Sequence, residues 1–300
     1  MEYSEDLIEK TERLLDILDG IGRAPAAAKR LSLCGGTALN LLRSKTPPRL
    51  SEDLDFNFRH GGRGDWGLAR SETETALKAV LQRLGYDMKT LKIQALYNQG
   101  RFYVRYRNRA GLNDLIKIEI GYMRRIPDLY RDSLVRVPNH MNTSVKTPVI
   151  EELCANKFCT MFSRMRKRPN ARDVFDVAAI STRRFRRELF TDLAMVETLL
   201  MDMKYEEMRF VGLAKGSERD LANLVGGKVR IDAIMDAAME FSNSTMEELI
   251  SHGIAKFQGH FRRTGMVKLD MLHNPELMNP RIQKHPQLQW LNKRVDYSFK

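Results

Sequence analysis

The chain has 300 residues, 43% hydrophobic and 29% charged, and its 50 Lys and Arg against 38 Asp and Glu leave a net charge of +12. Such a length supports two domains or one large one, and no stretch approaches the roughly 20 apolar residues of a membrane span. The positive excess favours polyanionic partners, nucleic acid foremost.

In chain order, Leu7, Leu14, Leu15 and Leu18 predict an amphipathic first helix. Its acidic start has no signal-peptide character, and Cys34, Cys154 and Cys159 sit in apolar contexts without metal-site spacing. Both features lead us to expect a cytoplasmic protein with reduced core cysteines.

Residues 30–34 read as the first strand, ending in Gly35-Gly36 before a helical TALNLLRS. A glycine pair lets backbone N–H groups approach an anion, and a helix start directs partial positive charge at a phosphate. In the following strand Leu54, Phe56 and Phe58 share one parity and Asp53, Asp55 and Asn57 the other. Side chains alternate between the faces of a strand, so the two carboxylates lie on one face, about 7 Å apart. They repel unless a cation sits between them, and Mg²⁺ (or Mn²⁺) bound by carboxylates and substrate phosphates is the natural one. The alternative is a solvated strand after a glycine turn.

The glycines of residues 60–64 mark a loop, residues 72–84 a helix, and Tyr86 onward a set of strands. Arg101, Tyr103, Arg105, Arg107 and Arg109 share one face of a predicted strand. That row suits a phosphate backbone with a stacking tyrosine, or else an edge strand protected by charge. In LIKIEIG, residues 115–121, Ile116, Ile118 and Ile120 point inward, with Lys117 and Glu119 on the other face as either an exposed pair or part of an acidic site.

From Val149 the period becomes helical, with Pro148 as a start signal and Cys154, Phe158, Met161, Phe162 and Met165 on one stripe. Lys157 falls at the stripe's edge, where it can bury its stem and present its ammonium to a cleft. Asn170 can cap the next helix, with Asp173 as a capping-box acid and Asp176 one turn further. Arg166, Lys167 and Arg168 between these helices form a cationic cluster suited to an anionic substrate or to a solvated helix end. Residues 188–300 read as further helices, without a repeat or metal spacing, and their scattered histidines as surface or structural rather than catalytic.

The segments GGTAL at 35–39, then Arg49, Ser51 and Asp53-Leu54-Asp55-Phe56, resemble the AbiEii family of nucleotidyltransferase toxins, which includes the MenT toxins. Here Gly36 stands where other members carry Ser, and the connection through residues 44–49 is slightly longer. Glu151-Glu152-Leu153, Lys157 and Arg172-Asp173 with Asp176 resemble the family's second motif. The resemblance implies an α/β (α+β) polymerase-β-like nucleotidyltransferase core over residues 1–148 and a mostly helical domain over 149–300.

It further implies metal at Asp53 and Asp55, an acidic cluster completed by Glu119, and nucleotide phosphates at Gly35, Gly36, Thr37, Ser51 and Lys157. Asp173 or Asp176 would orient Lys157 or the nucleotide. Implied partners are an NTP donor, an RNA acceptor such as the tRNA 3′ end, contacted by Arg101, Arg105, Arg107 and the 166–168 cluster, and a cognate antitoxin. A protein or small-molecule acceptor, or a binding module without turnover, are the rival readings.

Overall fold

The computed structural model describes residues 3–43, 49–60, 65–124, 132–140, 142–165, 170–212 and 230–263. Its frame is a seven-stranded mixed sheet in the order β3-β4-β5-β2-β1-β7-β6. The strands are β1 (Leu31–Cys34), β2 (Asp53–Phe58), β3 (Lys92–Ala95), β4 (Gln99–Arg107), β5 (Asn113–Gly121), β6 (Ser133–Arg136) and β7 (Ser144–Thr147).

The alternation read from the sequence matches the pleat. Leu54, Phe56, Phe58, Phe102, Val104, Ile116, Ile118 and Ile120 are all buried in one core. That core also contains Leu14, Ile17, Leu18 and Ile21 of α1 (Glu5–Gly22) and Leu77, Val80 and Leu81 of α4 (Trp66–Arg83), with α2 (Pro25–Arg30) alongside. Helix α4 begins well before residue 72 because Asp65 caps it, its carboxylate accepting from the N–H groups of Gly67 and Leu68 at 2.8 and 3.1 Å. β4 lies inside the sheet, between β3 and β5, so its arginines do not protect an edge.

β1 runs antiparallel to β2 and parallel to β7. The C-terminal ends of β1 and β7 and the N-terminal end of β2 therefore meet at one edge of the sheet. There β1 passes into α3 (Gly35–Arg43), while β7 turns at Pro148 into α5 (Ile150–Met165), which packs on α3. Helices α6 (Ala171–Ser181), α7 (Arg187–Leu200), α8 (Ile231–Ser251) and α9 (Ile254–Arg263) follow. Phe158 of α5 anchors that group edge-to-face against Phe190 of α7 and Phe241 of α8, at ring separations of 5.9 and 6.2 Å. Cys154 and Cys159 are buried in the same core. Among the described residues no helix is long and apolar enough to cross a membrane.

Candidate active site

The face of the sheet opposite the apolar core carries a row of acids. β2 and β5 pair in parallel, setting Asp55 beside Glu119 and Asp53 beside Lys117. Lys117 reaches across the row, with its Nζ 3.5 Å from Asp53 and 3.2 Å from Glu119, and Arg101 of β4 pairs with Glu119 at 2.7 Å. Asp55 is the crowded member. Burial first, then the charges of Asp53 and Glu119, push its carboxyl up to about 7, against the smaller opposing pull of Lys157 and Lys117.

The opposite wall comes from α5 and α6. Lys157 Nζ lies 2.8 Å from Asp176, whose other oxygen accepts from Arg49 Nε, also at 2.8 Å. The Arg49 fork closes with a second bond of 2.9 Å. Asp176 is only 1% exposed. Burial alone would raise its carboxyl, but Lys157 and Arg49 hold it well below the ordinary carboxylate range. Two segments distant in the chain, at Arg49 and Asp176, thus orient Lys157. Asp173 has a different partner, accepting from Arg164 at 3.0 and 3.2 Å. It is therefore not mainly the capping-box acid that its position suggests. Asn170 does cap α6, accepting from the Arg172 N–H at 2.9 Å. Arg172 in turn pairs with Glu52 across the cleft, immediately before Asp53.

The glycine pair fits tightly between these walls. Gly35 has φ +70, a left-handed conformation that favours glycine, and a Cβ there would collide with the Asp55 carboxylate. A Cβ on Gly36 would come within 2.5 Å of the Arg49 guanidinium. A serine at this position would have to displace the Arg49–Asp176 fork, which gives a physical reason for Gly36 in this chain.

Between the walls lies a cavity of about 400 Å³. It brings together Asp53, Asp55 and Glu119, Gly35 and Gly36, and Lys157 and Asp173. Thr37 and Ser51 do not line it. Both are buried behind it, where the Thr37 hydroxyl donates to the Asp53 carbonyl oxygen at 2.7 Å and Asn40 donates to the Ser51 hydroxyl at 3.1 Å. They fix the start of β2 rather than reach the cavity. Asp176 likewise acts from behind Lys157.

The fold delivers here several cations to which the sequence assigns no individual role: Arg49, Lys117, Arg164 and Arg172 all line the cavity. Arg49 and Arg172 fall inside the two motifs that resemble the family, and Lys117 and Arg164 outside them. On β4, Arg101, Tyr103, Arg105 and Arg107 share the face of the acidic row, with Arg101 opposite Glu119 and Tyr103 opposite Lys117, and Arg105 and Arg107 are exposed. Arg166, Lys167 and Arg168 lie outside the described residues.

Among the described residues, no group of three or more His, Cys, Asp or Glu side chains is disposed to hold a metal unaided. The donors fit Mg²⁺, which needs few protein ligands: two hard carboxylate oxygen groups whose crowding and burial a cation would relieve, and room beside them for phosphate oxygens.

The family model for the nucleotidyl transferase AbiEii toxin, of type IV toxin–antitoxin systems, matches residues 16–291. Among solved structures, MenT4, a nucleotidyltransferase toxin from Mycobacterium tuberculosis H37Rv, matches with a TM-score of 0.56 at 16% identity, over 91% of this chain and 94% of that one. An antigenic nucleotidyltransferase-like protein from Paracoccidioides brasiliensis matches with a TM-score of 0.40 at 17% identity, over 60% and 77% of the two chains. No curated protein sequence matches. The mixed sheet and helical layer are thus the fold shared with MenT4, and by the family match over nearly its whole length the chain belongs to the AbiEii nucleotidyltransferase toxin family.

Proposed function

We propose that the chain transfers a nucleoside monophosphate from an NTP to an RNA hydroxyl, at the tRNA 3′ end, releasing pyrophosphate and so blocking translation. The observation that carries this reading is the face-to-face placement of the Asp53–Asp55–Glu119 row and the Lys157–Asp176–Arg49 cluster across one cavity. Asp53 and Asp55 would hold Mg²⁺, which when bound supplies charge neutralisation at the triphosphate.

The remaining work falls to the chain's own groups. The Gly35-Gly36 turn lets the triphosphate approach the backbone without a side chain in the way. Lys157, aimed by Asp176, offsets negative charge developing on the phosphates, and Arg164 and Arg172 stand on the same wall for the leaving pyrophosphate. Glu119, held by Arg101 and Lys117, would draw the proton from the attacking hydroxyl. Arg101, Arg105 and Arg107 continue the polar face away from the carboxylates, which suits an acceptor with a phosphate backbone.

The test incubates the protein with Mg²⁺, each labelled NTP and total RNA, beside Asp53→Ala and Asp55→Ala. Label in tRNA only with both carboxylates intact supports the proposal. Label on protein would move the acceptor to a protein hydroxyl. Salt-sensitive RNA binding with no labelling of any acceptor would reduce the chain to a binding module.

A further inference from the structure

A second, smaller space adjoins the site cavity. We propose that it holds the nucleobase of the donor nucleotide and that Asn57 and Asn156 read it, an inference that rests on the chain using an NTP.

This niche measures about 200 Å³ and shares Cys34 and Asn156 with the cavity as common walls. It is several times the roughly 30 Å³ that one water occupies in the liquid, enough for a flat heterocycle. Asn57 follows Asp55 by two positions on the same face of β2, so it sits about 7 Å further along the strand. That step is comparable to the ribose separating the α-phosphorus from the base. Asn156 precedes Lys157 on α5, so adjacent residues of one helix face the two spaces.

One of the two amides is oriented in advance. Asn156 donates its amide to Glu197 at 3.3 Å, which leaves its carbonyl oxygen as an acceptor. Glu197, fully buried, is gripped by both terminal nitrogens of Arg124 at 2.6 and 2.8 Å, and Arg124 itself lines the niche. The Asn57 amide is engaged by no other described side chain or backbone group, although it stands in a partly enclosed space. A carboxamide places a donor and an acceptor side by side, the complement of the adjacent acceptor and donor on a base edge. Pro148 and Leu153 supply apolar surface for a ring face. The thiol of Cys34 is raised by burial, then by Asp55, and remains a neutral wall rather than a nucleophile.

The experiment measures Mg²⁺-dependent affinities of wild type, Asn57→Leu and Asn57→Asp for non-hydrolysable analogues of the four NTPs and for inorganic tripolyphosphate. The expected result is one preferred base in the wild type. Asn57→Leu should lose that preference by about tenfold or more, the scale of about one lost hydrogen bond, and Asn57→Asp should change the ranking. Tripolyphosphate affinity should stay constant throughout, which also reports an intact fold.

Unchanged rankings in both variants, with tripolyphosphate binding retained, would overturn the inference while leaving the transferase reading in place. In a parallel titration with RNAs that differ only in their 3′ nucleotide, a loss of discrimination confined to those RNAs would also overturn it, by giving the niche to the acceptor's base. If wild type bound neither the analogues nor tripolyphosphate, the transferase reading itself would fall.

Discussion

Asp55→Asn should remove activity and yet stabilise the metal-free protein. In the fold the Asp55 carboxyl titrates at about 7, against an ordinary 3.8. At about 1.4 kcal/mol per pH unit this gap bounds the cost of the charged form at about 4 kcal/mol, and relaxation and water entry reduce it to about 2 kcal/mol. The sign follows from proton counting. Between the two values the folded state binds more protons than the unfolded, so the wild type loses stability as pH rises through this window.

Above about pH 7 the penalty is complete, and below about 3.8 both states are protonated and it vanishes. An asparagine has no such penalty. For a chain of this size each kcal/mol moves the melting temperature by about 2–3 °C, so the variant should melt about 5 °C higher at pH 8 in EDTA, with the gap closing towards pH 4. Scanning calorimetry of both proteins across that range is the assay. A variant that melts below wild type at pH 8 without metal, or a gap that does not shrink on acidification, would refute the electrostatic account of this face.

Lys157→Met should lower turnover at a stability cost of about 1 kcal/mol, because Arg49 still satisfies Asp176, whereas Asp176→Asn leaves Arg49 and Lys157 as unbalanced buried cations and should cost about 3–5 kcal/mol in urea unfolding. Gly35→Ala should cost about 1–2 kcal/mol from its left-handed backbone alone and should also displace Asp55, seen as weakened Mn²⁺ binding by calorimetry. Arg105→Ala with Arg107→Ala should lower RNA affinity uniformly across sequences and reduce the slope of log affinity against log salt by about 1 for each phosphate no longer neutralised, while NTP affinity stays unchanged.

Local pattern made the sheet face legible: the alternation of residues 53–58 and 115–121 alone predicts which side chains point away from the core. The stripe on α5 and the Asn170 cap were equally readable, because both depend on neighbours within one helical turn. Partners were not. Nothing near Arg49 indicates that its counter-ion stands at Asp176, and which of Asp173 and Asp176 aims Lys157 depends on the packing of α6 against α5. Thr37 and Ser51 look like phosphate ligands in a motif, but they bond to the backbone of β2 and to Asn40 instead, a choice made by the depth of α3 in the fold. Lys117 read as half of an exposed pair because its neighbours on β2 and β4 come from elsewhere in the chain.

Helix α5 divides its surface between two tasks one residue apart. Phe158 is locked among Phe162, Phe190 and Phe241, while Lys157 faces the site cavity and Asn156 the niche beside it. A one-residue slip of a helix turns it by about 100°, enough to carry the ammonium out of the cavity. The aromatic cluster therefore works as a rotational lock. Cavity-forming substitutions at Phe190 or Phe241, remote from any phosphate, should register first as misaimed chemistry and only later as unfolding.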